Sequence, residues 1–138
     1  EDFRSNQKEI SWDTLTDILL LTYHNMNKYP QEYKFIFFIT CQMEWSEAII
    51  NKIRPLIVRT KEISRKIVTD ILTVLKETKK IKNDVDVDAI TEILISMWMG
   101  FLESYLTKRL TMDLECIVKE GFNLIYQSIK TEGANNEN

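Results

Sequence analysis

Apolar residues recur along most of this chain at helical spacing, the period of an amphipathic helix. Trp12, Leu15, Leu19, Tyr23 and Met26 define one face of a first complete helix. Ser11 suits its N-cap and Asn27-Lys28-Tyr29 its end. Residues 1–9 read as the end of a preceding helix. Pro30 fits the first position of the next helix, with Gln31 and Glu32 in its first turn. The run that follows, YKFIFFITCQMEW, is almost wholly apolar, the mark of a helix that is buried or lines a cavity. Phe and Ile also favour strands, but no other segment offers a partner strand or a hairpin turn, so the helical reading stands.

Residues 44–51 read as a short connecting helix or turn, and Pro55 as the first turn of a long helix. The stripe of that helix is Leu56, Ile63, Ile67, Ile71, Val74 and Leu75, ending near Lys80, and Asn83-Asp84 breaks the pattern. Asp86 or Asp88 caps a fourth main helix through Ile90, Leu94, Met97, Trp98, Phe101 and Tyr105. Residues 107–110 form the loop. Thr111, with Asp113 and Glu115, caps a last helix carrying Leu114, Ile117, Val118, Phe122, Leu124, Ile125 and Ile129. The pattern predicts an all-α fold: one domain over residues 1–130 and a flexible polar tail over 131–138.

The last two helices carry more apolar surface than packing on their own core requires. A helix that faces only its own core needs a single stripe. A second stripe runs through Ala89, Ile93, Ser96, Gly100 and Ser104, and a matching one through Ile117, Gly121, Leu124, Ile125 and Ser128. Glycine inside a helix costs about 0.8–1.0 kcal/mol relative to alanine, so Gly100 and Gly121 are expected to mark close backbone approach. Two such helices from each of two subunits would form a four-helix bundle about a two-fold axis. The same small residues also suit an intramolecular helical hairpin.

Composition bounds the remaining possibilities. A chain of 138 residues, 44% hydrophobic and 10% aromatic, is long enough for one well-filled core. The chain starts at Glu1 on a polar, helix-compatible stretch without a stop signal, which reads as a piece of a longer protein. Cys41 and Cys116 make no CxxC pair, both fall within apolar helical patterns, and a reducing cytoplasm is expected. No signal peptide and no membrane span are read. The net charge of −3 conceals a basic stretch: residues 52–82 hold ten Lys or Arg against Glu62, Asp70 and Glu77. That run is either a solvated helix face or a surface for an acidic partner, with no interleaved aromatic residue for base stacking.

Catalytic and metal chemistry find little support. One histidine, His24, excludes a di-iron carboxylate site and a His-rich zinc site. There is no Gly-rich phosphate loop, nucleophile elbow or H-E-x-x-H. His24 reads as a polar-face or partly buried structural residue, and Cys41, without positive neighbours, as a small hydrophobe. No enzyme activity, metal or cofactor is expected. Tyr23, Met26, Phe35, Phe38, Met43, Trp45, Met97, Trp98, Phe101 and Tyr105 come from different helices and would either line a lipophilic cavity or fill an ordinary core.

Several patterns occur in a fixed order: Tyr29-Pro30 ahead of an apolar helix, a long helix after Arg54-Pro55, D-V-D-A-I from Asp86, W-M-G-F from Trp98, and a final L-E-x-I-V-K-E-G-F-x-L-I. Together they resemble the C-terminal ligand-binding and dimerisation domain of TetR-family transcriptional regulators, over nearly the whole chain. The resemblance implies a cytoplasmic homodimer and a small lipophilic or aromatic effector among the first four main helices. By position, Leu19, Tyr23, Phe35, Phe38, Gln42, Ile63, Ile67, Trp98, Phe101 and Tyr105 would line that pocket. Ile93, Ser96, Gly100, Ser104, Ile117, Gly121, Leu124, Ile125 and Ser128 would form the intersubunit four-helix bundle. It also implies that DNA is read only by a helix-turn-helix domain that would precede Glu1. The competing expectation is an all-helical interaction module that presents residues 52–82 to an acidic partner.

Overall fold

The computed structural model describes residues 10–41 and 47–131, and among these it is all helical: α1 (Trp12–Lys28), α2 (Pro30–Cys41), α3 (Glu47–Glu77), α4 (Val87–Leu106) and α5 (Leu114–Ile129). The sole ladder-type pairing among them is an isolated bridge between Ile81 and Lys130. The expectations for residues 1–9 and for the tail beyond Thr131 lie outside the described residues. No helix among the described residues is long and apolar enough to cross a membrane.

Helix starts follow local side-chain chemistry. Ser11 caps α1 in a reciprocal box: its hydroxyl accepts from the Thr14 N–H, and its own N–H donates to Thr14 Oγ1. Tyr29 lies outside both α1 and α2, because Pro30 disfavours helical geometry in the residue before it, while the Tyr29 carbonyl accepts the Tyr33 N–H of α2. Of the two candidate caps of α4, Asp86 is the one used, its carboxylate accepting the Ala89 N–H at 3.0 Å. The cap of α5 is Asp113 and not Thr111: its carboxylate accepts the Cys116 N–H at 3.1 Å.

The long helix departs from expectation. Residues 47–51 do not form a separate connector; α3 runs unbroken from Glu47 to Glu77 with Pro55 inside it. Proline in a helix interior removes one backbone hydrogen bond and crowds the carbonyl four residues earlier. Asn51 and Pro55 are both exposed, and the helix continues past the proline. At its other end α3 stops before Asn83, and Ile81 turns inward to become 1% exposed.

Leu15, Leu20 and Met26 of α1, Ile71, Leu72 and Leu75 of α3, Leu94, Trp98 and Leu102 of α4, and Leu114, Val118 and Phe122 of α5 make one continuous core. Thr91, fully buried on α4, shares a 3.2 Å hydrogen bond with Thr69 of α3, which satisfies a polar group that burial would otherwise strand. Arg65 on the same helix pair reaches both Asp88 and Glu92. Helices α4 and α5 run antiparallel: Gly121 lies against Met97 and Phe101 at mid-helix, and the end of α5 returns to the α3–α4 connection, where Lys82 N–H donates to Ile129 O.

Candidate functional site

Two regions collect the residues singled out from the sequence. The first lies where α1 meets the C-terminal half of α4. Tyr23 and Tyr105 meet edge to face, with ring centroids 5.3 Å apart and planes at 86°, a favoured aromatic geometry. The Tyr105 hydroxyl donates a 2.6 Å hydrogen bond to Asn27 Oδ1 in the last turn of α1. Burial, and then the neighbouring Tyr23, raise the Tyr105 pKa above that of a free phenol, so the group remains a neutral donor at physiological pH. The exposed His24 ring stands 5.5 Å from Tyr23.

The expected pocket residues divide accordingly. Leu19, Tyr23, Ile67, Trp98, Phe101 and Tyr105 all belong to the core cluster or pack against it. Phe35 and Ile63 do not join them; they are 63% and 51% exposed. The Phe38 side chain and Gln42 lie outside the described residues. Asn27 was not among the expected residues: it lies 78 positions from Tyr105, and no spacing rule connects them.

The second region is the outer face of the α4–α5 pair. Ala89, Ile93, Ser96 and Gly100 are exposed along α4, as are Leu124 and Ser128 along α5. Ile93 is 49% and Leu124 70% exposed, far more than interior aliphatic residues. Ser104, Ile117, Gly121 and Ile125 are half-buried, with Ile117 and Ile125 packed against the chain's own core. Antiparallel register about Gly121 sets Leu124 at the level of Ser96. Small and aliphatic residues therefore share one outward surface.

The two glycines, alike in sequence, have different surroundings. A Cβ on Gly121 would meet Met97 Sδ and the Phe101 ring edge at 3.3 Å, so this glycine serves close packing of α4 on α5 within the chain. Among the described residues a Cβ on Gly100 would meet nothing within 4 Å. The expectation that both mark close approach is therefore corrected for Gly100 within a single chain. Cys116 lies in α5, where the apolar pattern places it, and is free and exposed.

Five of the ten basic residues of the stretch 52–82 are engaged by groups of the same chain. Arg65 pairs with Asp88 and Glu92, and Lys66 with Asp70 one turn away. Lys76, Lys80 and Lys82 donate to the backbone carbonyls of Val85, Ile10 and Ser128. Among the described residues no group of His, Cys, Asp and Glu side chains is arranged to hold a metal ion. Comparison with family models, with curated proteins and with solved structures gives no match.

Proposed function

We propose that this chain is the effector-sensing and dimerisation domain of a TetR-like transcriptional regulator, acting as a homodimer through the outer face of α4 and α5. One observation carries the reading. Gly100 sits mid-helix on an exposed face beside Ile93 and Ser96, and no atom of the described residues lies within 4 Å of where its Cβ would stand. Glycine there lowers helix stability by about 0.8–1.0 kcal/mol relative to alanine with no intramolecular gain. A second helix laid close against the α4 backbone supplies the missing reason, and a two-fold pairing puts the same face on both subunits.

The effector in this reading is a small lipophilic or aromatic molecule bound beside Tyr23, Trp98, Phe101 and Tyr105. The hydroxyl of Tyr105 and the amide of Asn27 would orient it. DNA would be contacted only by a helix-turn-helix domain outside these residues. Ligand binding regulates such a dimer by favouring one separation of the two reading heads over another. The alternative, an interaction module that presents the basic stretch to an acidic partner, is less favoured because Arg65 and Lys66 already pair with carboxylates and the ammonium groups of Lys76, Lys80 and Lys82 are tied to backbone carbonyls.

Light scattering on the wild type and on Gly100→Leu tests the proposal. The first carbon of a side chain at Gly100 meets nothing within 4 Å among the described residues, so the variant is expected to fold as a single chain. A wild-type dimer that becomes a folded monomer in the variant is the expected result. A wild-type monomer across the accessible concentration range overturns it.

A further inference from the structure

The segment 78–86, which joins α3 to α4, is tied to both ends of the described chain. Ile81 is buried and bridges to Lys130; Lys82 N–H donates to Ile129 O at 2.9 Å, and Thr131 donates from its N–H to Lys80 O and from its hydroxyl to Lys79 O. Three ammonium groups then reach carbonyls: Lys76 to Val85 at 2.7 Å, Lys80 to Ile10 at 2.9 Å and Lys82 to Ser128 at 2.9 Å. Ser128 lies in the last turn of α5, where carbonyls lack a helical partner and a cation complements the dipole. Ile10 immediately precedes the N-cap of α1, so Lys80 fixes the direction in which the chain enters that helix.

An independent feature marks the same end. Trp12 is 7% exposed and stacks on Tyr126 at 5.0 Å, yet its Nε1–H is buried with no acceptor among the described residues. An unmet buried donor destabilises the closed arrangement, and water admitted by local opening would satisfy it. This end therefore opens at a lower free energy than the core around Leu72, Leu94 and Phe122.

We infer that segment 78–86 is a conformational clasp with Lys80 as its pin: a shift of the α3–α4 corner that withdraws Lys80 from Ile10 releases the start of α1 while the core stays closed. The clasp stands on these hydrogen bonds and on the unmet Trp12 donor. In a sensing domain it gives helices α3 and α4 a direct mechanical route to the chain ahead of Ser11.

Native-state hydrogen exchange by NMR on the full 138-residue chain is the test. Lys80→Met should lower the protection of the Thr14, Leu15 and Thr16 amides and of the Trp12 indole N–H by roughly ten- to a hundredfold, the range expected for a lost hydrogen bond from a charged donor. The amides of Leu72, Leu94 and Phe122 should keep theirs, and Lys80→Arg should retain wild-type protection throughout. An equal fall at every site would make Lys80 an ordinary stabilising residue, and no change at the start of α1 would remove it as the pin; either overturns the clasp. The wild type provides a check that needs no substitution. Opening at Thr14–Thr16 should show a weaker urea dependence than opening at the core amides, and an identical dependence refutes a local release.

Discussion

Two helices of this protein end on a lysine in the left-handed region of backbone space, where glycine is the residue best suited. Lys79 after α3 and Lys108 after α4 both have φ of 57°. Each closes the same pair of bonds: Lys80 N–H to Leu75 O with Lys79 N–H to Lys76 O, and Arg109 N–H to Ser104 O with Lys108 N–H to Tyr105 O, all between 2.8 and 3.0 Å. This is the Schellman arrangement, whose left-handed position is usually glycine. A Cβ at that position crowds the following carbonyl at a cost of about 1–2 kcal/mol. Glycine removes the crowding but gives the unfolded chain added freedom, which offsets about 0.4–1 kcal/mol of the gain. Lys79→Gly and Lys108→Gly should therefore each stabilise the fold by about 0.5–1 kcal/mol. Both lysine side chains are exposed and the two turns are separate, so the effects should add. Urea denaturation followed by circular dichroism at fixed protein concentration measures this, with Lys79→Val as a control. A β-branched side chain is especially poorly tolerated at positive φ, and the control should be less stable than the wild type. Loss of stability in both glycine variants, with the valine variant unchanged, would refute the reasoning.

Other outcomes follow from the same geometry. Gly121→Leu should destabilise the folded chain itself, by about 1–3 kcal/mol for an overfilled contact, since Met97 and Phe101 already stand 3.3 Å from the first added carbon; thermal unfolding measures the loss, and Gly100→Leu should show no comparable loss in its monomer. Asp86→Ala and Asp113→Ala each remove a cap to a backbone N–H and should cost about 1 kcal/mol in urea denaturation, while Thr111→Ala should be nearly neutral. Burial raises the pKa of Tyr105 and of Tyr126 above 10.0, with Tyr23 and Asp13 respectively adding to the effect, so the unfolded chain ionises first. The stability from the two neutral phenols is complete below pH 10 and is lost as pH rises through the raised folded values; the double Tyr→Phe variant should flatten this alkaline loss, and an unchanged slope would sink the assignment.

The helix starts were legible because they depend on adjacent side chains. Ser11, Pro30 and Asp86 act where the sequence places them, since a cap or a proline is a local signal read over a few residues. The ends were harder. Lys79 carries no glycine signal, so the helix was expected to run to about Lys80 before the break at Asn83-Asp84, whereas α3 ends at Glu77 and Ile81 is drawn into the core by burial against elements far along the chain. Pro55 shows the opposite failure: a strong local signal for a helix start was overridden, and α3 begins at Glu47 with the exposed proline inside it.

At the candidate site, residue types were legible and partners were not. The aromatic set could be listed from spacing, but Tyr105 finds Asn27 across 78 positions, and only the packing of α1 and α4 around the shared helices α3 and α5 brings them together. Gly100 and Gly121 lie 21 residues apart in two similar helices, yet the register of α5 on α4 turns one toward Phe101 and leaves the other facing outward. The basic stretch illustrates the same limit. Counted along the chain it is an excess of charge that invites an external anion. In the fold, Lys76, Lys80 and Lys82 stand beside a short connection and a helix end, where backbone carbonyls lack partners, and a long flexible ammonium arm reaches them. Their charge serves the joining of α3, α4, α5 and the start of α1, while the small and aliphatic residues of α4 and α5 face outward. It is therefore the exposed surface around Gly100, more than the basic helix, on which a functional reading of this chain rests.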